Sequence, residues 1–328
     1  MNNQLKVNPK ILCYGEILHD IYSKKKVIAG APLHVAVHLA GFARKVYICS
    51  SIGNDKEGHE IIDYLKEKKV FLNYIEKHKT LPTGYTNIVN KKSSTRKFKI
   101  GEYSAWDEIR KVPDFLPDVL YIGTLSSRYK ISRKTLKNIL KKNIKIIFLD
   151  INLREPFINT DDIDLLLSKA THLKLNCYEY NLLKSLDKNK YNLNQMLISN
   201  KSLKFIALTK GKKGSEIFTR NGRNFKIDLT SIKNRKIVGA GDAFSAGLIE
   251  GLLSSTNDSS IHNFASSFTS NFINKAKSYW DFFVSKDISL IPTYEYIIIN
   301  IPGINRVEIW SKTDPSDNAK KYSEIKSR

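Results

Sequence analysis

The segment from Val238 to Leu253, VGAGDAFSAGLIEGLL, combines residue types that suit an anion site. Two glycines flank an alanine directly before Asp242, and an apolar helical pattern starts at once. Because N–H groups at a helix N-terminus can converge on one anion, Gly239, Ala240 and Gly241 are predicted to form an anion hole for a phosphate or an oxyanion. Asp242 has two interpretations. It caps the helix, as Asp often does, or its carboxylate takes a proton from a hydroxyl that attacks a phosphoryl group.

Two other phosphate-binding glycine motifs do not fit this segment. It is not G-x-x-x-x-G-K-[ST], and it lacks the third glycine and the early chain position of a dinucleotide-binding fingerprint. Any phosphate chemistry here is therefore of another kind.

Strand and helix patterns alternate over most of the chain. Continuous or alternating apolar runs predict strands at Lys10–Leu18, Lys45–Gly53, Asp118–Leu125, Ile144–Asn152, His172–Asn176 and Lys204–Lys210. Apolar residues at helical spacing predict helices at Pro32–Ala43, Asp55–Lys69, Ser132–Lys142, Ile163–Ala170, Glu179–Leu186 and Ala243–Leu253. The alternation predicts an α/β fold in which helices cover both faces of a mostly parallel sheet.

One stretch interrupts this alternation. Pro82 to Tyr103 contains two strand-like runs around a polar KKSST turn, with no helix between them. It predicts a β-hairpin that projects from the main domain and is a candidate lid. The residues after about Ile291 are polar and tail-like.

Composition excludes several classes of protein. With 328 residues, of which 41% are hydrophobic, the chain can bury a sizeable core. Its 54 Lys and Arg exceed its 32 Asp and Glu by 22. The lysines are spread in small groups without interleaved aromatics, so specific nucleic-acid binding is not expected.

Targeting signals and thiols point to the cytoplasm. No apolar run approaches the roughly 18 residues of a membrane span, and the polar first ten residues lead straight into a strand pattern rather than a secretory signal. Cys13, Cys49 and Cys177 lie far apart in apolar segments, which predicts buried thiols with no disulfide or zinc site. We therefore expect a cytoplasmic protein with no membrane partner.

The motifs taken together resemble a known family. GAGDAF, AGAPLHVAVHLAGF and SSIGNDKEG resemble the signatures of the ribokinase-type (PfkB) carbohydrate kinases. The order GEILHD, AGAPLHVAVHLA, PTG, AWDEI, IGTLSSR, FLDINLREPF, LKLNCYEY, LTKGKKGS and VGAGDAF is similar to that of bacterial fructokinases, over about residues 10 to 285. The resemblance implies a ribokinase-like three-layer α/β/α sandwich with a mostly parallel central sheet. It also implies a kinase domain over 1–290, with a lid from about 20–30 and 82–105, and a C-terminal extension over 291–328.

The resemblance implies a set of sugar-binding residues. Asp20, at the end of GEILHD, matches the acid that accepts hydrogen bonds from sugar hydroxyls, although alone it would be taken for a turn residue. Gly30 matches the hinge between lid and main domain. His34, which comes after Gly30 in the motif AGAPLHVAVHLA, stands at a sugar-binding position. Asn152 and Arg154 match a segment at the carboxyl end of a central strand, where ligands of open α/β sheets bind.

The resemblance also implies ATP and Mg²⁺ as cofactors. Asn176 and Glu179 match the N-x-x-E motif, which helps to hold Mg²⁺ and the phosphates, with Glu179 usually reaching the metal through water. The same pattern is also an ordinary helix start. Thr209, Gly211 and Gly214 match the T-x-G-x-x-G turn that lies along the nucleotide, and that pattern is also an ordinary glycine turn.

Several positions depart from the family pattern. Ala29 replaces the first glycine of a Gly-Gly pair, and His34 stands where the family has Asn. Lys236 occupies the place of an acid at a monovalent-cation site, so its ammonium group is a candidate surrogate that would make K⁺ unnecessary; the alternative is an ordinary surface lysine. The predicted helical region His262 to Trp280 lacks the small residues that border adenine in the family.

These features predict an ATP-dependent sugar kinase that acts on a ketose, with fructose as the first candidate. Asp242 would be the catalytic base. The departures keep open a non-catalytic, fructokinase-like protein that serves as a binding or scaffold subunit. The expected partners are a sugar and ATP, and the lid could pair two copies into a homodimer.

Overall fold

The computed structural model describes residues 8–22, 25–90, 96–228, 239–255 and 257–275. Its strands are β1 (Lys10–Tyr14), β2 (Leu18–Tyr22), β3 (Lys25–Ala29), β4 (Lys45–Gly53), β5 (Phe71–His78), β6 (Gly84–Asn90), β7 (Arg96–Ile100), β8 (Val119–Ile122), β9 (Ile146–Asp150), β10 (His172–Asn176), β11 (Phe205–Thr209), β12 (Ser215–Thr219) and β13 (Asn224–Ile227). Its helices are α1 (Ala31–Gly41), α2 (Lys56–Glu67), α3 (Lys130–Ile139), α4 (Thr160–Lys169), α5 (Cys177–Leu186), α6 (Leu193–Ser199), α7 (Ala240–Ser254) and α8 (Asp258–Lys275).

The large sheet has nine strands in the order β13-β12-β11-β10-β9-β8-β1-β4-β5. The strands from β11 to β5 pair in parallel, and β12 and β13 add antiparallel strands at one edge. The mostly parallel sheet expected from the alternating patterns is therefore confirmed.

Two apolar cores lie on opposite faces of this sheet. Side chains alternate along β1, so that Leu12 and Tyr14 join one core while Ile11 and Cys13 join the other. The first core includes residues of α3, α4, α5 and α6, and the second includes residues of α1, α2, α7 and α8. The three-layer sandwich is confirmed.

A small sheet of four strands stands beside the large one, in the order β3-β2-β6-β7. β6 and β7 form the expected antiparallel hairpin. β2 pairs antiparallel with β3 and parallel with β6, so the small sheet draws on both of the chain segments assigned to the lid.

One predicted strand proves to be two. The run Lys10–Leu18 leaves the large sheet after Tyr14, and the chain enters the small sheet at Leu18. Gly15 causes the break, because its φ of 138° lies in a region that side chains rarely adopt. A Cβ at this position would lie 3.0 Å from atoms of Pro32 and Ser126. As a result Asp20 lies within β2 and is not a turn residue.

The thiol prediction was right for two cysteines and wrong for the third. Cys13 and Cys49 are buried, whereas Cys177 is exposed. Cys177 is the first residue of α5, at the edge where β10 has just ended, so it has left the apolar interior of the sheet.

No helix in the described part of the chain is long and apolar enough to cross a bilayer.

Candidate active site

A cleft of about 210 Å³ opens at the carboxyl ends of β1, β9 and β10, against the N-terminus of α7. The small sheet contributes one wall through residues of β2, β6 and β7. The lining residues are Glu16, Leu18, Asp20, Gly30, Ala31, His34, Thr86, Ile100, Leu125, Asn152, Arg154, Lys174, Asn176, Glu179, Gly239, Gly241 and Asp242. This is the edge at which an open α/β sheet binds its ligands.

The start of α7 has the geometry that the glycine-rich segment predicts. The helix begins at Ala240, three residues earlier than its apolar pattern indicates, and Gly239 caps it with a φ of 88°. That left-handed conformation suits glycine, and it lets successive N–H groups turn toward one point. The backbone at Gly239, Ala240 and Gly241 therefore lies at a helix N-terminus that faces the cleft, with Gly239 and Gly241 in its lining.

Asp242 lies in the first turn of α7 and lines the cleft, with a side chain that is 19% exposed. Its Oδ2 atom lies 2.7 Å from Nδ1 of His34 on α1. No side-chain cap is formed at the start of α7, so Asp242 is directed to the cleft and to His34 and does not cap its own helix. No sequence pattern indicates this contact, since the two residues are 208 positions apart.

The surroundings of Asp242 favour its ionised form. Burial acts to raise the pKa of Asp242, but the hydrogen bond and charge of His34 and the charge of Lys174 outweigh burial and lower this pKa below its ordinary value. A carboxylate that stays ionised at neutral pH can accept a proton from a substrate hydroxyl.

Lys174 is a site residue that sequence reasoning missed. It is 6% exposed, and its Nζ atom lies 3.0 Å from both carboxylate oxygens of Asp150. Asp150 also accepts a hydrogen bond of 2.7 Å from Ser245 on α7. Burial acts to lower the pKa of Lys174, but the charges of Asp150, Glu179 and Asp242 raise it, so the ammonium group remains charged. A lysine within the apolar strand HLKLN was the available signal.

The ammonium group of Lys174 lies against the predicted anion hole. A Cβ added at Gly241 would lie 3.1 Å from Nζ of Lys174. The cleft therefore has a fixed positive charge beside the N-terminus of α7. Such a charge stabilises anionic oxygens, and more strongly in a site from which water is excluded.

Glu16 is a second residue that sequence reasoning missed, although it lies in the same motif as Asp20. It is 3% exposed, lines the cleft, and its Oε2 atom has no hydrogen-bond partner among the described residues. Burial raises the pKa of Glu16 to about 7, partly offset by the charge of Arg154. The cleft thus holds a carboxyl group that is about half protonated near neutral pH.

Asp20 and Gly30 lie where the small sheet meets the main domain. Asp20 is 7% exposed and pairs across the sheet with Thr86 of β6, and both residues line the cleft. Gly30 caps α1 with a φ of 124°, and a Cβ there would lie 2.4 Å from the carbonyl oxygen of Glu16. A close approach of two backbones therefore requires glycine at this position.

Asn152 and Arg154 follow β9 and line the cleft. Asn152 adopts a φ of 43°, a left-handed conformation that Asn tolerates better than most residues. Arg154 is 32% exposed, and its Nη1 atom lies 3.9 Å from Oε1 of Glu179. Arg154 is a partly exposed cation within the cleft.

The N-x-x-E motif forms a capping box at the start of α5. Asn176 Oδ1 accepts a hydrogen bond of 2.9 Å from the N–H of Glu179, and Glu179 Oε2 accepts one of 2.8 Å from the N–H of Asn176. Burial raises the pKa of Glu179, and Lys174 counteracts that rise. The ordinary helix start is therefore present, and both residues also line the cleft.

The predicted nucleotide turn lies next to the cleft but outside its lining. Thr209 ends β11 and pairs with Asn176 on the neighbouring strand. Gly211 and Gly214 follow with φ of 59° and 79°, and a Cβ at Gly214 would lie 1.8 Å from the carbonyl oxygen of Ile227. Glycine at 214 is thus required by packing. Lys236, the C-terminal extension 291–328 and the end of the predicted 262–280 helix lie outside the described residues.

Comparisons of sequence reveal relatives among carbohydrate kinases. The model of the pfkB family carbohydrate kinases matches residues 1–277. The chain is 23% identical over 257 residues to a 5-dehydro-2-deoxygluconokinase of Clostridium botulinum, which covers 70% of this chain and 73% of that protein. It is 24% identical over 248 residues to a putative sugar kinase of Pyrococcus horikoshii, with coverage of 72% and 76%.

Solved structures share the fold. A crystal structure of the Pyrococcus horikoshii sugar kinase superimposes with a TM-score of 0.70 at 21% identity, over 82% of this chain and 93% of that one. Fructokinase from Vibrio cholerae, solved with fructose, ADP and calcium, superimposes with a TM-score of 0.72 at 18% identity, over 83% and 94%. Since the family model spans most of the sequence, the chain belongs to the pfkB family of carbohydrate kinases.

Proposed function

We propose that this kinase transfers the γ-phosphoryl group of ATP to a hydroxyl of a ketose, and that fructose is its substrate. One observation carries the proposal. Asp242 lies in the cleft in the first turn of α7, directly after the backbone of Gly239, Ala240 and Gly241. A base and a set of main-chain donors therefore face the same space.

The transfer assigns a separate role to each of these groups. Asp242 takes the proton as the sugar oxygen forms its bond to the γ-phosphorus, and the bond to the bridging oxygen breaks with its electrons leaving on ADP. Such a base contributes about 10² to 10⁴ in rate. The N–H groups of Gly239 to Gly241 and the ammonium group of Lys174 stabilise the charge on the transferred phosphoryl oxygens.

Asp20 and Asn152 suit a polyhydroxylated substrate. Asp20 accepts hydrogen bonds from two sugar hydroxyls, and Asn152, which also lines the cleft, offers both a donor and an acceptor. The small sheet forms a wall of the cleft. Closing that wall over a bound sugar excludes water, which limits hydrolysis of ATP.

The residues present fit a magnesium ion held through water. The capping box uses Oε2 of Glu179, and Oε1, which lies 3.9 Å from Nη1 of Arg154, is the hard oxygen that would reach a water molecule on the ion. The bound ion would neutralise charge on the nucleotide phosphates. Asn176 lies beside Glu179 at the same edge, next to the strand end that carries Thr209.

A sugar acid is the second candidate substrate. Arg154 is a partly exposed cation in the cleft, and an arginine fork matches the geometry of a carboxylate. The curated relatives named 5-dehydro-2-deoxygluconokinase support the same candidate. A carboxylate bound at Arg154 would leave the hydroxyls of the substrate to Asp20 and Asp242.

A substrate panel separates these candidates. The purified protein is incubated with MgATP and fructose, other neutral ketoses, and sugar acids that include 5-dehydro-2-deoxygluconate, and products are identified by ³¹P NMR. Arg154→Met is assayed beside the wild type. A fructose kinase turns over fructose, and the variant changes its KM little. A sugar-acid kinase prefers the acid, and the variant raises the KM for it. Binding of ATP without turnover of any sugar would overturn the proposal in favour of a non-catalytic subunit.

A further inference from the structure

His34 occupies a position that the sugar-binding interpretation does not explain. The resemblance assigns this place to a residue that contacts sugar, where the family has Asn. In the structure, however, Nδ1 of His34 is 2.7 Å from Oδ2 of Asp242, and the other ring nitrogen, Nε2, is buried. One ring nitrogen is therefore already engaged by Asp242, and the other is shielded from solvent.

The chemistry of the pair fixes the direction of the hydrogen bond. An ionised carboxylate only accepts hydrogen bonds, so Nδ1 of His34 carries a proton and its N–H group donates a hydrogen bond to Oδ2 of Asp242. This occupies one carboxylate oxygen and leaves Oδ1 for the hydroxyl of the substrate. His34 is 3% exposed in α1, so the donor is held in place by its packing.

We propose that His34 is a positioning residue for Asp242, which fixes the orientation of the carboxylate and keeps it ionised, and that it does not bind the sugar itself. This inference rests on the proposed function, since it gives Asp242 the role of the base. It deepens that function by assigning a task to the residue at which this chain departs from its family.

The electrostatic surroundings agree with this role. The groups that face Asp242 from the neighbouring elements are His38 on α1, Tyr121 on β8, Lys174 on β10 and Glu16 after β1. Burial lowers the pKa of His38 to about 3, so His38 is neutral and adds no charge beside the pair. Lys174 favours ionised Asp242, whereas Glu16 opposes it when it is itself ionised. His34 is the group that contacts the carboxylate directly.

Two substitutions of His34 distinguish a role in positioning Asp242 from a role in filling space. In Asn the amide nitrogen can lie where Nδ1 lies in His, because both atoms are bonded to Cγ. In Gln the amide nitrogen is one bond further out, which corresponds to Nε2. His34→Asn therefore keeps the donor to Asp242, and His34→Gln loses it. His59→Asn, at an exposed histidine on α2, controls for the loss of an imidazole.

The first measurement is the pH dependence of kcat and KM for the sugar. We expect His34→Gln to lower kcat by about tenfold to a hundredfold, as for a misplaced catalytic group, with KM changed less than about threefold. The acidic limb of the kcat/KM profile should move up by about one pH unit. His34→Asn should recover most of kcat. A rise in KM with kcat and the acidic limb unchanged would overturn the inference, because it would show that His34 binds sugar.

The second measurement does not depend on turnover. The ¹³C signal of the Asp242 carboxyl group, assigned by comparison with Asp242→Asn, is titrated in the wild type, His34→Asn and His34→Gln. We expect a higher midpoint in His34→Gln than in the wild type and His34→Asn. Equal midpoints in all three would refute it. If Asp242→Asn is fully active, the proposed function fails, whereas the titration still decides whether His34 controls the carboxylate.

Discussion

Replacing Glu16 with glutamine should remove a pH-dependent loss of stability from the folded protein. Burial raises the pKa of Glu16 from 4.5 to about 7 in the native state. Between these two pH values the folded protein keeps the proton while the unfolded chain has released it. Because the unfolded chain then binds fewer protons, the free energy of unfolding falls as the pH rises through this window, and the loss is complete above about pH 7.

The size of this effect follows from the same interval. At about 1.4 kcal/mol for each pH unit, the interval from 4.5 to 7 corresponds to about 3 kcal/mol. Glu16→Gln carries an amide that does not titrate, so this contribution disappears. The variant should have a stability similar to that of the wild type near pH 5 and should be more stable by up to about 3 kcal/mol at pH 8.

Urea unfolding at pH 5, 6, 7 and 8 measures the difference, with wild type and variant compared at each pH so that all other titrating groups cancel. Glu102→Gln, at an exposed glutamate, is the matched control for the loss of one negative charge. If the difference in the free energy of unfolding between the wild type and Glu16→Gln stays constant within about 1 kcal/mol from pH 5 to 8, Glu16 does not have a raised pKa in the folded protein.

Three further predictions concern Lys174, Gly241 and Lys236. Lys174→Met should lower the free energy of unfolding by about 3 to 5 kcal/mol, because it leaves Asp150 buried without its ion pair. Urea unfolding measures this loss, and a loss below about 1 kcal/mol would count against a charged Lys174. Gly241→Ala should lower kcat roughly tenfold while ATP binding persists, because the added Cβ would lie 3.1 Å from Nζ of Lys174 and displace the ammonium group. An unchanged kcat in steady-state kinetics would disprove this. The kinase activity should be the same in K⁺ and in Na⁺, and Lys236→Ala should lower it. Equal rates for that variant and the wild type would eliminate Lys236 as a cation surrogate.

Much of the fold follows from local patterns in the sequence. β4 and β10 begin and end at the predicted residues, because continuous apolar runs in a sheet that is buried on both faces have sharp boundaries. β5 was not predicted. It is an edge strand whose exposed and partly buried positions include Asn73, Glu76 and Lys77, so it carries no continuous apolar run.

Other elements were missed because tertiary contacts define them. α6 has only seven residues, and β12 and β13 form the antiparallel edge of the sheet through pairing rather than through a strong pattern. The break at Gly15 depends on a positive φ that only its contacts with Pro32 and Ser126 reveal.

The motifs located the candidate site but not its internal contacts. Asp20, Asn152, Asn176 and Asp242 are far apart in sequence and line one cleft, as the order of motifs implied. The hydrogen bond between His34 and Asp242 joins two helices and has no local signature.

Buried polar residues of the site were equally hard to foresee. The burial of Lys174 and of Glu16 within strand-like segments depends on which neighbours the fold supplies. A single sequence shows residue types but not their burial.

Phosphoryl transfer is proposed to depend most on Asp242 as the base that activates the hydroxyl of the sugar. The direct test is the single-turnover rate of phosphoryl transfer from MgATP, compared between the wild type and Asp242→Asn at saturating sugar. We expect the rate to fall by about 10² to 10⁴ while the affinity for ATP is retained. A variant that transfers phosphate within threefold of the wild-type rate would contradict it.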